Sequence, residues 1–113
     1  MMTLTYKFGE FGDVNPIQCV DSNDQDADIS FADPAQSKIF ILSEDKTKKL
    51  LEITDADFAI VSPNVNWTPT KAQSETLPPG NYAGEAHLQN TPQSRNVIFE
   101  FPVFVEKARG NIT

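Results

Sequence analysis

The pattern that most restricts this chain is period-two alternation, confined to short runs and broken by clusters of Pro, Gly, Asn and Asp. Runs of this kind suit strands packed in sheets, and the clusters suit the turns between them. In the segment Ser37 to Leu42, Ile39 and Ile41 share one face while Phe40 and Leu42 share the other, so the strand is apolar on both sides. A lysine-rich turn separates it from Lys49 to Ile53, and the two read as a hairpin. Asp57 to Val61 follows, stopped by Ser62-Pro63-Asn64, and Val65 to Thr68 is short, alternating and β-prone.

The C-terminal half alternates more cleanly. Tyr82, Gly84, Ala86 and Leu88 fall opposite Glu85 and His87, and Val97, Phe99, Phe101, Val103 and Val105 share one side of a last strand. Pro102 cannot donate a ladder hydrogen bond, so that strand lies at an edge, changes partner or bulges there. Upstream, Leu4, Tyr6 and Phe8 share a face, as do Ile17 and Cys19, and Asp28 to Phe31 forms a short third piece. Only Thr68 to Glu75 reads as helical, for about two turns at most. About seven to nine short strands with one short crossover predict an all-β Greek-key sandwich.

A chain of 113 residues is one domain, with residues 1–14 as an N-terminal arm or edge strand and 106–113 as a flexible tail. That length buries a core without staples, and a single cysteine, Cys19, excludes an internal disulfide and fits a cytosolic folding compartment. The N-terminus has neither the basic region nor the apolar run of a signal peptide. No stretch approaches the roughly 20 apolar residues that cross a bilayer, so no membrane insertion is expected. Sixteen acidic residues against nine basic ones give a formal charge of -7, which disfavours nucleic acid. The one basic cluster, Lys46, Lys48 and Lys49, reads as a solvated hairpin turn.

Leu77-Pro78-Pro79-Gly80-Asn81-Tyr82 is the most specific local feature. A tyrosine near the start of a strand in Greek-key sandwiches often hydrogen-bonds back to the chain just upstream, bracing a crossing between sheets. Leu77 would plug the core, Pro79 and Gly80 would turn the chain, and Tyr82 would hold the corner.

Around this corner the chain resembles the immunoglobulin-like modules of tailed-phage tail and baseplate proteins, including the N-terminal domains of upper-baseplate proteins. The residues that carry the resemblance are Ala27-Asp28-Ile29-Ser30 before the Ser37 strand, then Val65, Trp67, Thr70, Gln73, Leu77, Pro79, Gly80, Tyr82, Gly84 and Glu85, and the final hydrophobic strand. Two loops depart from the pattern: Ser62-Pro63-Asn64 stands where the family has a glycine, and Asn90 to Asn96 is longer than the usual turn. The resemblance implies an immunoglobulin-like sandwich and a structural or adaptor role in a virion made in the bacterial cytoplasm. Its partners would be other virion proteins and further copies of itself, in a homo-oligomer. The segments expected to meet them are the arm before Pro16, the Asn90 to Asn96 loop and the tail after Val105.

Other chemistry is thinly supplied. Asp24, Asp26 and Asp28 match the first EF-hand spacings, but Ile29 stands at the glycine place and Ala35 at the glutamate place, which excludes that loop. A looser calcium site and a solvated acidic turn remain as readings of Asp21 to Asp28. His87 is the only histidine, so no His-based zinc site assembles within one chain, and it reads as a surface strand residue. Cys19 reads as a small buried apolar residue rather than a nucleophile. No Gly-rich phosphate loop or hydrolase elbow is present, and neither catalysis nor a cofactor is expected. Trp67 is the candidate for stacking on a sugar in a carbohydrate- or host-surface-binding module, although its alternation with Val65 favours the core. A third reading is a small acidic inhibitor that sets the Asp21 to Asp28 carboxylates against a basic target.

Overall fold

A computed structural model describes residues 2–107. Eight strands form: β1 (Leu4–Lys7), β2 (Asn15–Gln18), β3 (Lys38–Leu42), β4 (Lys49–Ile53), β5 (Phe58–Val61), β6 (Asn64–Trp67), β7 (Gly80–Leu88) and β8 (Val97–Glu106). One helical turn, α1 (Lys71–Ser74), and a 3-10 turn over Pro34–Gln36 complete the elements. The flexible-tail expectation for 106–113 therefore begins too early, since Glu106 closes β8 opposite Lys7. Residues 108–113 lie outside the described part.

The strands form two sheets, ordered β1-β8-β7-β3-β4 and β2-β6-β5. Along the chain they alternate between sheets, with hairpins β3–β4, β5–β6 and β7–β8 inside one sheet and crossings between. The order β2-β6-β5 against β3-β7-β8, with β4 added at the edge, is that of an immunoglobulin-like sandwich. Such domains in antibodies carry an inter-sheet disulfide whose second cysteine stands two residues after the corner tyrosine. That place is Gly84 here, and no disulfide joins the sheets.

Alternation explains the core. Leu4, Ile39, Ile41, Ala86, Leu88, Phe101 and Val103 point inward from the larger sheet and meet Ile17, Phe58, Val65 and Trp67 from the smaller one. Tyr6 and Trp67 touch across the sandwich edge to face, ring centroids 5.2 Å apart. Burial pushes the Tyr6 hydroxyl up to about 12, with the charge of Tyr82 adding to it, and burial pushes the Cys19 thiol up to about 12. Gly84 makes room for Phe101: a Cβ there would stand 2.3 Å from Phe101 Cε2.

One local expectation needs correction. Asp28 to Phe31 is a turn rather than a strand, because Asp28 Oδ1 accepts from both Ser30 N (3.0 Å) and Ser30 Oγ (2.6 Å) and bends the chain. Ile29 still plugs the core from that turn. The helix falls inside Thr68 to Glu75 and within two turns: Thr70 Oγ1 accepts from Gln73 N at 3.2 Å to start it, and it ends at Ser74.

Pro102 pairs with Ala83 without a bulge and immediately precedes the residues of β8 that meet β1. Phe8 N donates to the Glu106 carbonyl at 2.9 Å, so Glu106 turns its backbone groups toward β1. Backbone direction alternates along a strand, so Phe104, Pro102, Glu100 and Ile98 turn the same way. The donor that proline lacks is thus one that β7 never uses.

Candidate functional site

The corner before β7 joins the two sheets through α1. Leu77 is buried, Pro78 and Pro79 are exposed, and Gly80 opens β7. Tyr82 Oη donates to the Pro78 carbonyl at 2.6 Å, and the ring lies over Gly80, 3.8 Å from where a Cβ would stand. These four residues form one rigid elbow.

Trp67 lies wholly inside the sandwich, with no exposed surface. This corrects the stacking reading: a ring packed on Tyr6 offers no face to a sugar. Trp67 Nε1 donates to Gln73 Oε1 at 3.1 Å. The same oxygen accepts from Thr70 N at 3.0 Å, and Gln73 Nε2 donates to Asp57 Oδ2 at 2.9 Å. One amide therefore caps α1, satisfies the buried indole and ties the helix to the start of β5. The spacing Thr70-x-x-Gln73 is a capping box and signals this role in sequence.

The acidic loop spends much of its charge on its own shape. Asp21 Oδ1 accepts from Asn23 N and Gln25 N at 2.8 and 3.0 Å, and Asp26 accepts from Gln18. Hydrogen bonds from Ser30 hold the Asp28 carboxyl below its usual range. Among the described residues no three His, Cys, Asp or Glu side chains gather as a metal-holding group. Cys19 is sealed in the core, while His87 lies half-buried on β7 with Glu85 Oε1 at 2.9 Å and Asn96 Nδ2 at 3.2 Å. The lysine turn is likewise occupied, with Lys46 on Glu100 at 3.3 Å and Lys49 on Glu52 at 3.0 Å.

The outer margin of β8 is the feature that Pro102 marked in sequence as an edge or a change of partner. Strand β1 pairs only with Val103 to Glu106, so among the described residues the stretch from Val97 to Phe101 has β7 on one side and no strand on the other. Beside it runs a groove of about 560 Å³ between the strand and the Val20 to Asp24 loop. Ile98, 49% exposed, stands at its margin. Pro102 was the available signal, since a proline inside a long apolar strand marks where pairing on one side stops.

No family model, curated protein or solved structure matches the chain.

Proposed function

We propose that this chain is a non-enzymatic assembly module: a structural or adaptor protein of a phage particle, in the tail, baseplate or fibre attachment region. The phage setting follows from the resemblance around Val65 to Glu85. The observation that carries the assembly reading is the open margin of β8, which among the described residues has no strand beyond the reach of β1, while β2, β4 and β5 are further sheet edges. Unpaired edges are where strands from other chains add. Exposed Phe11, Val14, Val61 and Phe104 supply apolar contact area elsewhere. The rigid elbow at Tyr82 and the amide of Gln73 fix the two sheets, so edges and loops are presented in one geometry. Neighbours are other virion proteins and symmetric copies of the chain, made in the host cytoplasm and carried in the virion.

Light scattering on the purified chain over a range of concentrations and salt tests this. A mass at a fixed multiple of the monomer is the expected result. A monomer under every condition, or glycan-array binding by the intact fold, counts against it.

A further inference from the structure

We infer that a hollow on the outer face of the smaller sheet, beside Asp57 and Asn66, binds a primary ammonium group on an alkyl stem, the chemistry of a lysine side chain or a free diamine. All its groups come from one copy, so the site does not depend on the assembly reading.

Ala59 pairs with Asn66 across β5 and β6. Their strand neighbours Phe58 and Trp67 are buried in the core, so these two side chains turn to the outer face. A hollow of about 430 Å³ opens there. Ala56 and Ala59 leave the space, and Val14 and Pro69 give it apolar walls. Asp57, Asn66, Thr68 and Thr70 supply its polar groups, and no lysine, arginine or histidine lines it.

Asn66 Oδ1 is buried without a hydrogen-bond partner, one of two such side-chain atoms among the described residues. The other, Tyr6 Oη, belongs to the core and does not line the hollow. The Asn66 side chain bonds to no other described group. Turning its amide about the last side-chain bond, a soft torsion, therefore presents Oδ1 at the opening with no bond lost. Asp57 brings the charge. Its Oδ2 accepts from Gln73 Nε2 at 2.9 Å, but that amide is neutral, and no cation among the described residues pairs with the carboxylate. Lys71 on α1 is held by Glu75 at 3.1 Å. An unmet acceptor beside an unneutralised carboxylate suits a charged donor, and the apolar walls suit methylene groups. A water molecule would meet Asn66 and use neither the charge nor the walls.

The probes are cadaverine, Nα-acetyl-lysine N-methylamide and the norleucine counterpart, which lacks the ammonium. Each is titrated into the full chain while the Asn66 side-chain amide and the Ala59 backbone amide are followed by proton–nitrogen NMR. Both amines shift these signals with dissociation constants of about a millimolar, the strength of one part-exposed charge pair. The norleucine counterpart does not. Asp57→Asn keeps an oxygen for Gln73, holds the urea midpoint and weakens amine binding about tenfold. Ala59→Leu, at an exposed position, fills the hollow and abolishes binding. Tighter binding of the lysine derivative supports a lysine on a partner protein as the occupant, and tighter binding of cadaverine supports a free diamine. No shift at about 20 mM amine overturns the inference and leaves the hollow to water. Equal shifts from the norleucine counterpart overturn it, as does undiminished binding to Asp57→Asn. If amine binds a chain that stays monomeric, the assembly reading falls and the site stands. If the chain assembles and no amine binds, the site falls and the assembly reading stands.

Discussion

Trp67 and Gln73, six residues apart, meet through a 3.1 Å hydrogen bond that gives a buried indole N–H its acceptor. The same amide reaches Thr70 and Asp57, so three elements depend on one side chain. Buried donors without partners are costly, which makes this contact a sharp point of weakness.

Gln73→Ala strands the Trp67 donor and is expected to lower stability by about 2 kcal/mol, read from urea unfolding followed by tryptophan fluorescence. Gln73→Glu keeps the acceptor but sets a carboxylate against Asp57. Asp57→Asn in the same chain restores a donor there, so the double variant recovers stability relative to Gln73→Glu alone. If the double variant is no better, the Asp57 contact is not structural.

Gly84→Ala drives a methyl into the Phe101 ring, at 2.3, 2.6 and 2.8 Å from its Cε2, Cζ and Cδ2. The expected loss is about 2 kcal/mol, as for other overpacked cores. Phe101→Ala alone costs about 3 kcal/mol by opening a cavity. Combined, the two changes should cost less than their sum by at least about 0.5 kcal/mol, since the methyl enters the space the ring vacates. Strict additivity would show that the ring has room to move aside.

Tyr82→Phe keeps the ring over Gly80 and deletes the hydroxyl bond to Pro78. The elbow is part-exposed, so water replaces the lost donor and the cost is about 1 kcal/mol. Thermal unfolding should register it as a lower midpoint with unchanged cooperativity. A midpoint equal to that of the parent would mean the corner is held by Leu77 and the prolines alone.

Stability should fall in alkali. Cys19 has an ordinary value of 9.0 and is pushed to about 12 by burial, and Tyr6 goes from 10.0 to about 12 for the same reason. Between the unfolded and folded values the unfolded chain has released protons that the folded chain retains, so raising pH favours unfolding. Each group steepens the loss by about 1.4 kcal/mol per pH unit within its window. The urea midpoint should therefore drop from about pH 9 upward. In Cys19→Ala the drop begins a unit later. A flat profile to pH 11 would contradict both burials.

Much of this architecture is legible in residue order. Alternation marks each core strand, and the Pro79-Gly80-x-Tyr82 spacing marks the elbow, because both are local patterns with local causes. The turn at Asp28 was misread as a strand because Ile29 is buried from a bend, and burial alone does not distinguish the two. Trp67 kept two readings in sequence, since only the far sheet decides whether a ring in an alternating strand is covered. The open margin of β8 depends on where β1 stops, a long-range fact that Pro102 marks without explaining. For the groove, the sequence offers Ile98 and the acidic run separately, and only the fold brings them to one edge.

The parallel pairing of β1 with the end of β8 also decides how the molecule bears force. Leu4 lies beside Val103 and Lys7 beside Glu106, with both strands running the same way. A pull on Leu4 against Glu106 slides the strands past one another, loading all their hydrogen bonds together instead of opening them singly like a zipper. An antiparallel closure would peel bond by bond under the same load. The four-residue clasp is thus a shear joint, suited to a part pulled from both ends.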